Sequence, residues 1–273
     1  MRALSGFILA MLIMGGAATI ARAQPEPDLL LSKRQLEWIA SQIFRNECNA
    51  RYDCLVHWNP GEAFPSLGIG HFIWYPIGME GPYQESFPAL ILLAEQQGVD
   101  MPDWLSSQAT LGAPWPDRDT FLKAQEYDPH IEELRQWLAE NQGFQAAFMV
   151  SRAREALGPV ILASSEPATT RRKLNALTDT PGGVYALVDY VNFKGEGLSE
   201  AERYEGYGWG LLQVLESMPE DLAVSGTALD EFRVAAAQVL TRRAELADRD
   251  IERQQWLPGW LNRVDTYREP EEI

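Results

Sequence analysis

The sequence predicts a mainly α-helical single domain with a small β-hairpin or irregular lobe. Three observations predict it. Apolar residues recur at three- and four-residue steps over most of the chain. That period is lost between Cys48 and Pro88, where Pro60-Gly61, Pro65, Gly68, Gly70, Pro76, Gly78 and Gly81-Pro82 cut the sequence into short apolar runs. No repeat, low-complexity run or linker separates one part from another, so residues 24–273 read as one domain, long enough for a sizeable core.

Residues 1–23 read as a signal peptide. Met1-Arg2 is a short positive start, Phe7 to Ile20 is almost wholly apolar but short of a membrane span, and Ala21-Arg22-Ala23 is an A-x-A cleavage signal that would leave Gln24 first. Export to the periplasm or beyond the cell is therefore expected, with no membrane insertion after cleavage. Ser32 to Gln35 reads as a capping box, and Leu36, Ile39, Ile43 and Glu47 follow on one helical stripe. In an exported chain the pair Cys48 and Cys54 most simply forms a disulfide that clips the loop after this helix. The small lobe spans about 48–88. Helical patterns resume at Ala89–Gln97, Asp119–Tyr127, Pro129–Asn141, Phe144–Leu157, Pro167–Leu177, Val184–Val191, from Ala201 onward, and at Ala228–Arg253. The stretch 101–118, rich in Pro and Trp, reads as a surface loop.

The formal charge is −16, and loss of Arg2 and Arg22 with the leader would leave 21 basic against 39 acidic residues, a net −18. Such a surface argues against nucleic acid and against electrostatic capture by anionic membranes or wall polymers. It leaves open a site for neutral sugar rings. His57, His71 and His130 lack helix-spaced carboxylate partners, so no metal site is expected, and no cofactor is implied. Neither a G-x-S-x-G elbow nor a cysteine–histidine signature supports a nucleophile triad.

Glu47 carries the chemical interest. An acid on an apolar stripe either turns to water at the helix end or is held in a partly dry site, the environment of a general acid. After it come Ser66-Leu-Gly-Ile-Gly-His71 and the aromatics Phe72, Trp74 and Tyr75. The two glycines allow close backbone approach, and the Ile between them suits a strand. This block resembles the phage-type lysozymes of the lysozyme-like superfamily, in which a glutamate ends the first long helix and a hairpin ends in Thr-x-Gly-x-Gly-His. Ser66 stands here for the threonine. A second block, Ala186-Leu-Val-Asp-Tyr-Val-Asn192-Phe-Lys-Gly195-Glu-Gly197, is similar to the superfamily helix that packs under the cleft and ends in Asn-x-Gly.

The resemblance implies a lysozyme-like fold whose small lobe forms one wall of a cleft, and cleavage of the glycan strand of peptidoglycan. It implies Glu47 as acid, Ser66 or Glu62 positioning water or stabilising the cationic state, and His71 supporting the hairpin. Trp74, Tyr75, Asn192, Tyr207, Trp209 and Gln213 are the expected substrate contacts. The family's aspartate between the glutamate and the threonine has no counterpart at the matching distance. Asp53 lies in the cysteine loop, and Glu62 is the preferred second carboxylate. Without a second carboxylate, a lytic transglycosylase using Glu47 alone becomes the natural alternative. Gly210-Leu-Leu-Gln213 independently resembles the Gly-Leu-Met-Gln motif of lytic transglycosylases and goose-type lysozymes, which nominates Glu196 as alternative acid. A non-catalytic wall-binding or scaffold protein on the same fold is the third reading. The segments around Arg242-Arg243 and Trp256–Tyr267 loosely resemble closing helices of such folds, and a surface salt bridge and a core anchor account for them.

Overall fold

The computed structural model describes residues 31–221 and 225–272. The expected leader, and the expected mature start at Gln24, lie outside them. Among the described residues there are eleven α-helices and two small antiparallel sheets, in keeping with the mainly helical class. None of these helices is long and apolar enough to cross a membrane.

Helix α1 (Lys33–Cys48) begins as its sequence dictates. Ser32 Oγ accepts from the Gln35 N–H at 3.3 Å while Gln35 Oε1 accepts from the Ser32 N–H at 2.8 Å, a reciprocal capping box. Ile39, Ala40 and Ile43 are buried, and Asn49 ends the helix in the left-handed conformation one turn past Arg45. Cys48 and Cys54 form a disulfide with Cα atoms 5.5 Å apart. It ties the 3₁₀ turn Tyr52–Leu55 to the end of α1.

The small lobe is a three-stranded antiparallel sheet, β1 (Val56–His57), β2 (Ser66–Leu67) and β3 (Phe72–Ile73), in that order, with Ser66 opposite both His57 and Ile73. The sequence from Ser66 to His71, read as a strand, is strand only over Ser66–Leu67. Gly68 to His71 make the turn into β3. The reason is Gly68, whose φ of +66 bends the chain and whose N–H donates to Leu55 O at 2.8 Å. A Cβ there would strike Gln145 Oε1. Without one, the wholly buried Gln145, on α6 (Gln142–Ala163), accepts from the Ile69 N–H at 3.0 Å and donates to Leu138 O at 2.6 Å. One buried amide thus locks the turn onto the helical body. His71 closes the turn at φ +48, a conformation that costs a non-glycine residue about 1–3 kcal/mol.

The helical body centres on α8 (Pro181–Lys194), in which every residue from Gly182 to Tyr190 is buried. Thr180 caps it by accepting from the Gly183 N–H at 3.1 Å, with Pro181 in the first turn. It packs against α1, α6, α7 (Pro167–Thr178), α9 (Leu211–Ser217) and α10 (Ser225–Leu246). Buried apolar residues from both lobes form one continuous core. The expected helices at 119–127 and 129–141 are α4 (Arg118–Ala124) and α5 (Pro129–Glu140).

Three further expectations differ from the structure. The 101–118 stretch holds α3 (Asp103–Ala109), because Leu105 and Ala109, one turn apart, are buried on the side facing α2 (Phe87–Gln97). The helix expected from Ala201 onward starts only with α9. Before it lies a hairpin of β4 (Arg203–Tyr204) and β5 (Tyr207–Gly208), whose turn residues Glu205 and Gly206 have φ of 50° and 83°, the pair of left-handed residues a tight hairpin requires. The pattern at 228–253 breaks after Leu246, and a five-residue π-helical segment, Glu252–Trp256, leads into α11 (Leu257–Asp265).

Gln145→Leu should orphan the Ile69 N–H and the Leu138 carbonyl in the core. Even one such group costs about 1–3 kcal/mol, so the urea midpoint should fall accordingly, and an unchanged midpoint would show that the turn is held by something else.

Candidate functional site

The site is built on the last turn of α1. The Glu47 side chain keeps only 10% of its exposure, and its two oxygens have different partners. Oε1 accepts a short charge-assisted bond from Arg263 Nη2 and a longer one from Asn192 Nδ2 at 3.4 Å. Oε2 lies 3.4 Å from His71 Nδ1. The three partners come from α11, from the end of α8 and from the glycine turn of the small lobe. The disulfide forms the floor, with Cys54 Sγ 3.9 Å from the Glu47 carbonyl oxygen.

Arg263 is the hub. Its Nε and Nη2 form a fork onto Asp189, at 2.8 Å to Oδ2 and 2.9 Å to Oδ1, while the other Nη2 hydrogen goes to Glu47. Asp189 is wholly buried and takes a third bond from the Tyr267 hydroxyl at 2.7 Å. Burial opposes the charge on Arg263, but Asp189 and Glu47 outweigh it and hold its pKa well above the ordinary arginine value. Burial, seconded by the neighbouring Asp189, raises Tyr267 well above the usual tyrosine range, so it stays a donor. Next to Glu47, Asn46 Nδ2 donates to Tyr185 Oη at 2.7 Å and Thr266 Oγ1 at 3.1 Å, which binds α1 to α8 and to the residue after α11.

A cluster of cations lies behind this hub. Lys194 Nζ sits 3.8 Å from the Phe193 ring centre and 3.9 Å from that of Trp260, and Arg263 stacks on Phe193 at 4.3 Å. The two rings favour an ammonium ion. Burial opposes it more strongly, and Arg243 and Arg263 repel it, so the Lys194 pKa is lowered to about 6.

A cavity of about 260 Å³, lined by Phe72, Gln84, Met149, Arg152, Asn192 and Glu196 among others, opens beside this site. Asn192 thus touches Glu47 and also lines the cavity that the exposed Glu196 borders. Glu62 and Ser66 form a pair of their own. Glu62 Oε2 accepts from Ser66 Oγ at 3.2 Å and from Asn59 Nδ2 at 3.1 Å, and Ser66 is buried.

Several expected substrate contacts are structural instead. Trp74 is wholly buried, packed against Phe87 at 4.8 Å and Trp115 at 6.2 Å between ring centres, and Tyr75 is buried against Phe64 at 5.1 Å. Neither ring offers a free face, because the small lobe needs them as its core. Trp209 is buried between Tyr204 and the Arg243 guanidinium, which lies 4.0 Å over it. Gln213 spends its amide on the Gly210 N–H and the Gly197 carbonyl, each at 3.0 Å, and so holds the turn between α8 and α9. Tyr207 is exposed, but it lines a different cavity of about 530 Å³ with Arg203 and Arg242. Asp189 and Arg263 were missed as site residues. A lone Asp amid the apolar run of α8 was the available signal, since a wholly buried carboxylate demands a cationic partner.

No protein-family model, curated protein or solved structure matches this chain.

Arg263→Leu leaves Asp189 charged, buried and without its partner, and should lower stability by about 3–5 kcal/mol in urea unfolding. Asp189→Asn should cost less, because Arg263 keeps Glu47; the reverse order would remove Arg263 from the centre of the network. Lys194→Met tests the cation cluster by pH. The folded state holds fewer protons than the unfolded one between about 6 and the ordinary 10.5, so wild-type stability rises across that window. The gain from Lys194→Met should be largest below pH 6 and shrink as the pH climbs toward 10.5. A gain independent of pH would mean that Lys194 is charged in the fold.

Proposed function

We propose that the chain is an exported lysozyme-like glycosidase that cleaves the glycan strand of peptidoglycan, with Glu47 as its general acid. One observation carries this reading. His71, from the Gly-x-Gly-His turn, and Asn192, from the Asn-x-Gly end of α8, reach the same carboxylate although the chain separates them widely. These are the two blocks that resemble phage-type lysozymes, and their meeting at Glu47 is what a shared active site requires.

The chemistry follows from the two inequivalent oxygens. Oε1 is anchored by Arg263 and Asn192, which fixes the plane of the carboxyl group. Oε2 is left to carry a proton to a glycosidic oxygen, with His71 within reach to hold or return it. The adjacent cavity offers Gln84, Arg152 and Asn192 to sugar hydroxyls and acetamido groups. Neutral rings suit a chain of charge −16.

A second reading is favoured by a specific observation. Asp189 is occupied by Arg263 and Tyr267, and Glu62 is held by Ser66 and Asn59. Neither is among the partners of Glu47, so a single-acid mechanism is open, as in lytic transglycosylases. There Glu47 would protonate the leaving oxygen, then take the proton of the sugar hydroxyl that closes the anhydro ring.

Glu47→Gln should lower glycan cleavage by at least about 10²-fold, the low end of what a positioned general acid contributes, while the protein remains folded. Glu196→Gln should cost far less. Digestion of purified peptidoglycan separates the readings: free reducing ends for a hydrolase, anhydro ends for a transglycosylase, and no new ends for a wall-binding protein. A folded Glu47→Gln protein with wild-type cleavage would overturn the assignment, and a dead Glu196→Gln would transfer it.

A further inference from the structure

We propose that the Cys48–Cys54 disulfide masks a metal site: once it is reduced, Cys48, Cys54 and His71, with Glu47 as fourth ligand, bind a thiophilic divalent cation of the zinc class. The two sulfurs and a ring nitrogen of His71 all lie within 4.8 Å of one another. His71 Nδ1 is 3.4 Å from Glu47 Oε2. Zinc holds sulfur at about 2.3 Å and nitrogen or oxygen at about 2.0–2.2 Å in a tetrahedron. Neighbouring ligand atoms in such a site are therefore about 3.3–3.8 Å apart. The His71–Glu47 pair already has that spacing. The sulfurs, bonded to each other in the oxidised form, separate when the bond breaks, and the His71 nitrogen has at most about 1 Å to close.

The surroundings favour such a site. Cys48 and Cys54 are both buried, so the site is largely screened from competing water. Glu47 is oriented through Oε1 by Arg263 and Asn192, the kind of outer support that fixes a metal ligand. Two thiolates balance the charge of a divalent cation. Asn49 and Ala50, in the loop between the cysteines, are both left-handed, and reduction frees that loop to open the sulfur–sulfur distance.

The redox step balances. The disulfide accepts two electrons from two thiols or one dithiol, which are themselves oxidised to a disulfide. The two cysteine thiols formed give up their protons to water when the cation binds. The oxidised protein has no such site, because both sulfurs are committed to each other. Metal capture would also occupy Oε2 of Glu47. That consequence rests on the function proposed above, whereas the metal site itself does not.

The test compares the full chain before and after reduction with a non-chelating phosphine, which supplies the same two electrons, using zinc and cobalt ions as probes. After desalting, the reduced protein should retain zinc in stoichiometric amount, and the oxidised protein none. Cobalt should give tetrahedral d–d bands and thiolate charge-transfer absorption, with far-UV circular dichroism unchanged. Zinc should raise the melting temperature of the reduced form alone. His71→Ala in the reduced form should weaken zinc by at least about tenfold, the scale at which even outer-shell losses register, and Glu47→Gln should shift the cobalt bands. Equal zinc in the oxidised protein, no zinc in the reduced protein, loss of the native circular dichroism on reduction, or an unchanged affinity in His71→Ala would each overturn the proposal. None of these readouts depends on glycan cleavage, so failure here leaves the proposed activity standing, and failure there leaves the metal site.

Discussion

The fork of Arg263 onto Asp189 is the interaction on which the rest depends. A guanidinium is planar and its donors are fixed in direction. Once two of them are committed to Asp189, the direction of the remaining Nη2 hydrogen is set, and Glu47 has to lie where it points. The three residues sit on α8, α11 and α1. The geometry at Glu47 therefore forms only when the C-terminal helix has docked against the first. A buried ion network of this kind adds little net stability beside a well-packed apolar substitute, but it penalises every misdocked arrangement that leaves a charge unpaired. Here that penalty is attached to Glu47, the residue proposed as the general acid.

The small lobe is fixed by different means. It has three two-residue strands, too little ladder to stand alone. Its position comes from the disulfide at one end, from its aromatic core around Trp74, and from Gln145, which reaches out of α6 to hold the turn. The cost of the left-handed His71 is offset by these contacts. The result is that a residue from a loop reaches Glu47 with the precision of one from a helix.

Much of the helical frame was legible because it is local. The capping box at Ser32, the stripe of α1 and the proline-led starts of α5 and α7 depend only on near neighbours. Glu47 was legible for the same reason, since its place on the stripe follows from Ile39 and Ile43. The failures were of two kinds. Glycines and aromatics together mark both sugar platforms and tightly turned cores, and for Trp74, Tyr75 and Trp209 the core was the right answer. The Gly-rich run at 203–210 carried aromatics like a helix start, but two adjacent left-handed residues turned it into a hairpin. Arg263 was not legible at all. Its role is set by partners 74 and 216 residues away, and nothing in the local sequence of α11 distinguishes an arginine that snorkels from one that turns inward.

The cations behind the site obey a further constraint. Arg243 lies 4.7 Å over Trp260 and bonds Glu252, which is wholly buried and also bound by Arg249 and the Tyr204 hydroxyl. Burial works against the Glu252 charge, yet the bonds from Tyr204, Arg249 and Arg243 outweigh it and keep its pKa below the ordinary value. A second ion cluster thus faces the first across Trp260, with Lys194 between the two guanidiniums. Each arginine is matched by buried acids, whereas Lys194 has none close enough to prevail. Arginine cannot give up its proton in a protein, while lysine can. The least costly resolution is for Lys194 to shed its charge and serve as a half-buried apolar stem between Phe193 and Trp260. Lys194 thus bears the repulsion that the two arginine networks create between them, and its pKa falls to about 6.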